Sequence, residues 1–216
     1  MQIVRYMLPG GRFEWLRSAL GGVLGLGLTA ALCHWLVGGD PAATWLIAPM
    51  GASTVLLFAI PASPFAQPRP VIGGHLLAAA IGLVTHRLGI DPVLAVGLAV
   101  GLSIAVMSLL QCLHPPAGGT TVLMVLGSPA IDAMGWSFLA VPIALNVALL
   151  LVLALVFHRL TGHSYPHHAR LHPPANPPHY DPEALAAVLS EWDEVLDITR
   201  EDLDAVIRAV LARSER

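Results

Sequence analysis

Two short stretches of the chain carry the residue types best suited to ligand binding: a proline followed by small residues and hydroxyls. They are PMGASTVL at 49–56 and PAGGTTVL at 116–123, which superpose at an offset of 67 with five identities. Glycine leaves the backbone accessible, and the first N–H groups of a helix have no partner within it. Because the helix dipole adds positive charge there, each stretch predicts a helix start that binds a small anion. Passage of a neutral solute past water-solvated amides is the alternative.

The candidate ligand-binding residues share small size, a hydroxyl or an imidazole. His75, Pro115 and Pro116 are candidates for gating or for lining a pore. His114 could bind substrate, but a histidine before two prolines more often satisfies a freed backbone carbonyl. No carboxylate lies inside the apolar segments, so proton coupling would need His75 or His114. The candidate substrate-binding residues are Gly51, Ala52, Ser53, Thr54, His114, Gly118, Gly119, Thr120 and Thr121.

The elements that must position these residues are apolar. Of 216 residues 56% are hydrophobic and 12% are charged, whereas soluble proteins have about 25% charged residues. This composition excludes a soluble globule, and a net charge of -3 argues against nucleic-acid binding. Charged residues between 18 and 158 all lie near the ends of apolar runs; they are Asp40, Arg69, Arg87, Asp91 and Asp132.

Four apolar runs are candidates for crossing a membrane, which takes about 20 residues of helix. The fourth qualifies only if Arg87 extends its guanidinium to the headgroups. The two short stretches, taken as 49–60 and 116–127, are broken crossings or re-entrant helices. Six crossings with inverted halves and four crossings with parallel halves are both open. The four runs are 18–37, 93–113, 136–157 and 71–88.

The predicted fold is all-α: a polytopic helical membrane protein with four long transmembrane helices and two short ones in an internal repeat. We expect the protein to lie in the inner cell membrane. Arginines flank the first and last runs, so the positive-inside rule places both termini on the cytoplasmic side of that membrane. Residues 1–17 form an N-terminal arm, 18–158 the transmembrane domain, 159–181 a solvated His/Pro-rich linker and 182–216 a cytoplasmic helical hairpin.

Several ordered motifs resemble the HPP family of integral membrane proteins, named for a His-Pro-Pro triplet. The triplet falls on His114, Pro115 and Pro116, and the similarity extends over about residues 12–160. The resemblance implies a compact bundle usually counted as four transmembrane segments, with passage of nitrite by some plastid and bacterial members. It assigns no binding residues. The motifs are WLIAPMGASTVLLF at 45–58, SPFAQPR at 63–69, IGGH at 72–75 and LHPPAGGTT at 113–121.

The sequence therefore predicts a transporter or channel for a small inorganic anion, with nitrite suggested by the resemblance. The alternative is a membrane sensor or scaffold that signals through its C-terminal helices. No nucleophile with a base, metal triad or phosphate loop is visible, so we expect no enzyme activity, metal or cofactor. The expected partners are the lipid bilayer and the anion. A second copy of the chain and a cytoplasmic partner of the tail are further candidates.

Overall fold

The computed structural model describes residues 13–37, 45–167, 181–192 and 196–214, and the regular secondary structure within them is helical. A 3-10 turn, Pro64–Ala66, precedes α3, and a π-helical segment, Leu139–Ala144, leads into α7. The α-helices are α1 Glu14–Leu36, α2 Pro49–Ala59, α3 Pro68–Arg87, α4 Pro92–Leu109, α5 Ala117–Leu126, α6 Pro129–Met134, α7 Leu145–Leu160, α8 Pro182–Trp192 and α9 Arg200–Ser214.

Within the described residues, three helical stretches are long and apolar enough to cross a membrane. They are Glu14–Leu36, Pro92–Leu109 and Leu139–Leu160. Large aliphatic side chains lie on their outer surfaces, such as Val93, which is 82% exposed. An apolar surface of this extent suits lipid rather than water. α3 has 20 residues but is less apolar, so its role as a fourth crossing stays a prediction, as does the internal repeat.

Two predicted boundaries differ from the structure. The run 136–157 is not one helix, because the backbone leaves helical geometry at Val141 and Pro142 has no N–H to donate. The N-terminal arm is shorter than expected, because α1 begins at Glu14, whose carboxylate accepts a hydrogen bond of 2.7 Å from Arg17 Nε. Residues 1–12 of that arm lie outside the described residues.

The two ends of the bundle are defined by contacts between helix termini. At the proximal end, Arg17 near the start of α1 bonds His158 near the end of α7 and the carbonyl of Phe58 near the end of α2. At the distal end, His86 near the end of α3 bonds the carbonyl of Val125 near the end of α5 and the carboxylate of Asp132. The short helices α2 and α5 therefore finish at opposite ends of the bundle.

Glycines allow α3 to approach α5 and the segment before it very closely. A Cβ atom added at Gly82 would lie 2.6 Å from Met124 Cβ and 2.8 Å from the carbonyl oxygen of Thr121. One added at Gly74 would lie 2.7 Å from His114 Cβ. Small residues give such backbone contacts in membrane bundles, where lipid supplies no hydrophobic drive. This packing sets the distance between His75 on α3 and the residues around His114.

The segment after α7 folds onto the proximal end, so the prediction of a solvated linker is wrong for its described part. Tyr165 is buried and donates a hydrogen bond of 2.8 Å to the carbonyl of Ala66. The backbone N–H of His167 donates to Gln67 Oε1 at 2.9 Å. Both partners belong to the loop between α2 and α3. Residues 168–180 of the predicted linker lie outside the described residues.

The helix starts of the tail follow sequence signals: Asp181 before Pro182 marks the first, and Thr199 with Asp202 forms a capping box for the second. The N–H of Glu183 donates to Asp181 at 2.8 Å, and the N–H of Asp202 donates to Thr199 at 3.1 Å. The tail also reaches the membrane bundle, because Ser63 Oγ donates to Asp197 at 2.6 Å. His167 Nε2 lies 2.9 Å from Asp202 Oδ1. The tail is thus tied to the loop between α2 and α3 directly at Ser63, and indirectly through His167, whose N–H bonds Gln67.

Candidate functional site

Four polar side chains from four separate segments form a bonded series in the middle of the bundle, which we call the histidine network. Ser53 Oγ of α2 lies 2.9 Å from His75 Nε2 and 2.8 Å from His114 Nε2. On its other side, His75 Nδ1 lies 2.7 Å from Thr120 Oγ1 of α5. All four side chains are fully buried. Buried polar groups need partners, and here they find one another.

The network ends at a backbone carbonyl. His114 Nδ1 lies 2.8 Å from the carbonyl oxygen of Phe65, in the 3-10 turn before α3. A carbonyl only accepts, so His114 must carry a hydrogen on Nδ1. The sequence prediction that His114 satisfies a freed backbone carbonyl fits this contact. The second bond, to Ser53, was not anticipated.

His75 stands between two residues that are equivalent in the two short stretches. Ser53 and Thr120 superpose at the offset of 67, and each bonds one of the two ring nitrogens of His75. The two short helices also touch at their first turns, because a Cβ atom added at Gly119 would lie 3.3 Å from Pro49 Cγ. Three of the nine predicted substrate-binding residues, Ser53, His114 and Thr120, are therefore gathered around the imidazole of His75.

A second hydroxyl pair lies on the other side of α5. Thr121 Oγ1 is 2.9 Å from Ser103 Oγ of α4, and both side chains are fully buried. Its counterpart Thr54 donates instead to the carbonyl of Met50 at 2.7 Å. Thr54 and Thr121 thus serve helix packing in this arrangement, and neither belongs to the histidine network.

The predicted binding mode at free backbone amides is wrong for the first turns of both short helices. The N–H groups of Met50 and Gly51 donate to Ile47 and Ala48, and those of Ala117, Gly118 and Gly119 donate to His114, Pro115 and Pro116, at 2.8 to 3.1 Å. Tight bonds of this kind, from residue i to i-3, commonly satisfy helix ends. Serine and threonine are common N-cap residues, but no hydroxyl caps either start, although Ser53, Thr54, Thr120 and Thr121 lie close by.

The remaining predicted residues lie at the margin of the network. Gly51 and Gly118 are half-buried, and a Cβ atom added at either would meet no atom within 4 Å. Ala52 and Gly119 are exposed. Pro115 is exposed and Pro116 is buried at the start of α5. Open space therefore lies beside equivalent positions of the two short helices.

Asn146 fixes the entry into α2. Its side-chain oxygen accepts from the N–H of Ile47 at 2.9 Å, and its nitrogen donates to the carbonyl of Trp45 at 2.9 Å. An asparagine inside an apolar run is typical of a polar contact between membrane helices, and these bonds have that role. Because Ile47 and Trp45 precede α2, the contact holds the irregular backbone that a broken helix exposes.

Sequence reasoning missed Phe65, Ser103 and His158. Phe65 acts through its carbonyl, which no side-chain pattern reveals, and Ser103 is one isolated hydroxyl in an apolar run. The position of His158 near the end of an apolar run predicts the membrane interface, but the residue is fully buried, with Nε2 donating to the carbonyl of Leu57 at 2.8 Å. Proximity of His158 to a helix end suggested exposure. The folding of residues 161–167 over that end covers it.

The described residues include no group of three or more histidine, cysteine, aspartate or glutamate side chains that could hold a metal ion. The histidine network itself offers hydroxyl and carbonyl partners to its imidazoles. The interactions within the network are hydrogen bonds among hydroxyl, imidazole and carbonyl groups.

A helical bundle with three stretches able to cross a membrane and an apolar outer surface defines an integral membrane protein. The transmembrane region of the HPP family matches residues 9–166, and the chain belongs to that family. It is 37% identical to a transmembrane protein of Dictyostelium discoideum over 144 residues, which is 64% of this chain and 50% of the relative. A second transmembrane protein of that organism is 31% identical over 148 residues, 67% of this chain and 46% of the relative.

The chain thus spans about half the length of the curated relatives it matches. No solved structure is significantly similar to it.

Proposed function

We propose that the protein is a transmembrane transporter or channel for a small inorganic anion such as nitrite, with the histidine network as its binding point. The observation that carries the proposal is the convergence of Ser53 and Thr120 on His75. A buried polar cluster where two interrupted helices meet is typical of substrate sites in transporters. Ionisable residues held inside a membrane bundle are expensive and usually functional.

Six crossings fit this proposal better than four. α2 and α5 finish at opposite ends of the bundle and touch at their starts, as two halves of broken crossings would. In this topology both termini and Arg69 lie at the cytoplasmic side of the inner cell membrane, and Arg87 lies at the other side. The two halves of the transmembrane domain are then inverted repeats, and His75 lies between their two short helices.

The anion would be held by hydroxyl and imidazole hydrogens, since the first-turn amides of both short helices already have carbonyl partners. The open space beside Gly51 and Gly118 is where it would approach. Nitrite is a small anion that bears acceptors only. This chemistry supports a small oxyanion, and the choice of nitrite among them comes from the resemblance to other members of the family.

Flux into proteoliposomes tests the proposal, with nitrite, formate and chloride as probes. Gly118→Leu should reduce nitrite flux at least tenfold, because its side chain extends into the open space that an added Cβ atom would enter. Gly97→Leu is the matched control, since Gly97 is exposed on α4 and also has no atom within 4 Å of an added Cβ. Equal flux with and without protein would reject transport. Unchanged flux in Gly118→Leu would reject the site.

A sensor that signals through the C-terminal helices is the second candidate. The bond from Ser63 to Asp197 favours it, because it connects the tail to the loop that carries Phe65. The bond from His167 to Asp202 adds an indirect connection, since the N–H of His167 donates to Gln67 of that loop. Two results together would support the sensor over the transporter. The intact chain would capture a cytoplasmic protein that a chain ending at residue 167 does not capture, and no flux would be observed.

A further inference from the structure

The hydrogen-bond partners fix the polarity of the whole histidine network. His114 carries its hydrogen on Nδ1, because Phe65 offers a carbonyl oxygen there. The other nitrogen of neutral His114 is then bare and accepts from the Ser53 hydroxyl. Ser53 has one hydrogen, so His75 Nε2 must donate to Ser53 Oγ. His75 Nδ1 is therefore bare, and Thr120 donates to it.

Only two ring nitrogens in this network can take an additional proton: His75 Nδ1 and His114 Nε2. A proton on His75 Nδ1 keeps each bond, because Nδ1–H then donates to Thr120 Oγ1 and the threonine hydrogen turns to a new acceptor. A proton on His114 Nε2 would push the Ser53 hydrogen toward the carbonyl of Pro49, at the longer distance of 3.4 Å. His75 Nδ1 is therefore the better site for the additional proton, provided that an acceptor lies beside Thr120 to take the threonine hydrogen.

We propose that each anion bound beside Thr120 is accompanied by one proton on His75, so that the protein moves the two together. This inference rests on the proposed function. The imidazolium of His75 would donate to Ser53 and Thr120, and Thr120 would donate its freed hydrogen to the anion. A monovalent anion and the added proton leave the site with no net charge.

The surroundings of His75 favour such a neutral pair. No aspartate, glutamate, lysine or arginine occurs in α2, α4, α5 or residues 139–157, so the neighbouring elements provide no fixed charge to balance an anion. An unpaired charge buried in this apolar environment is very costly. Among the described residues, His114 is the titratable group in contact with His75, with ring centroids 4.9 Å apart. Repulsion between two imidazolium rings this close limits the pair to one added proton.

The network also gives the proton a way out. His75 Nε2–H can pass to Ser53 while the Ser53 hydrogen passes to His114 Nε2, which moves the extra charge from His75 to His114 and leaves Ser53 intact. His114 lies against Phe65 and follows Leu113, and both of those residues line a surface cleft of about 280 Å³. Loss of the Nδ1 proton on that side leaves His114 neutral with its hydrogen on Nε2, so the hydrogens of the network must turn back before Nδ1 again donates to Phe65.

The test is the ratio of protons to anions taken up by proteoliposomes that contain the full chain and an internal pH indicator. Nitrite is one probe and nitrate is the second, because nitric acid is too strong to carry protons through lipid by itself. Protein-free vesicles correct for free nitrous acid. We expect about one proton per anion and no change in flux when valinomycin and potassium set the membrane potential.

Anion flux without proton uptake, or flux driven by the membrane potential, would overturn proton coupling and leave the proposed transport standing. Absence of flux for every probe would instead overturn the proposed function, and the coupling with it. The ratio is measured on the unmodified protein, so it does not depend on how a variant folds.

A variant gives a second reading. His75→Gln keeps an amide that donates and accepts but cannot take a proton, and we expect proton uptake per anion to fall at least tenfold. His34→Gln is the control, because His34 is exposed near the end of α1 and lies against Trp45. A His75→Gln protein that retains one proton per anion would contradict the role of His75.

Discussion

Ser53 is the side chain on which both buried imidazoles depend. It is the partner of His75 Nε2 and of His114 Nε2 and is itself fully buried. A single hydroxyl can fill both roles because it donates once and accepts from the other side. Its removal therefore affects two histidines at once.

Replacement of Ser53 by alanine should lower the free energy of unfolding by about 1–3 kcal/mol, the cost of leaving buried polar groups unpaired. Thermal or denaturant unfolding in detergent would measure the change. Ser108→Ala is the control, because Ser108 is exposed on α4. A Ser53→Ala protein as stable as Ser108→Ala would contradict the network.

Tyr165 provides a prediction for alkaline pH. Burial raises the pKa of the Tyr165 phenol above its ordinary value. Because the folded-state pKa is raised, the stabilisation from neutral Tyr165 is complete below the unfolded pKa of about 10 and is lost as the pH rises through the folded pKa. The chain has no lysine, so few other side chains titrate in this range.

We expect the unfolding temperature to fall between about pH 10 and pH 12, and the fall to be smaller in Tyr165→Phe. At pH 7 that variant should lose about 1 kcal/mol, because the hydrogen bond to Ala66 is gone. A series of unfolding curves from pH 7 to 12 measures both effects. The same alkaline slope in both proteins would mean that Tyr165 titrates normally.

Among the helices, the contact of α3 with α5 decides the geometry of the site. Gly82→Ala should cost about 1–3 kcal/mol, because the added methyl meets the backbone of Thr121, which cannot rotate away as a side chain can. Gly97→Ala on the exposed face of α4 is the matched control and should be neutral or slightly stabilising. Thermal unfolding of the two variants, side by side, checks this. Equal stability would show that α3 and α5 have room between them.

Much of the helical architecture follows from hydropathy, and much of the site does not. The runs at 18–37 and 93–113 predict α1 and α4 closely, because a long charge-free segment has few alternatives in a membrane. Residue types also indicate His75, His114, Ser53 and Thr120 as candidates. Their connection depends on the Phe65 carbonyl and on the close approach at Gly74, and both are tertiary features. The free-amide hypothesis failed for a similar reason, since short-range carbonyl partners cannot be read from side chains.

For the whole molecule, the proposed six crossings place Arg69 and Arg87 on opposite faces of the membrane. Arg69→Cys should react with an impermeant maleimide only after cells are permeabilised, and Arg87→Cys should react in intact cells. The native chain is the control, because Cys33 and Cys112 are both buried. Four crossings would give the reverse pattern of labelling.

The loop between α2 and α3 is shared by the tail and the histidine network: Ser63 and Gln67 hold the tail, and Phe65 between them holds His114. Where solute binding at His114 and docking of the tail both shift this loop, the two are coupled, and the solute changes the affinity of the bundle for its tail by the same factor as the docked tail changes the affinity for the solute. Limited proteolysis should therefore cut α8 and α9 at a different rate when nitrite is present. The rate at which the tail is cut would then report whether the histidine network has bound a solute, without any measurement of flux.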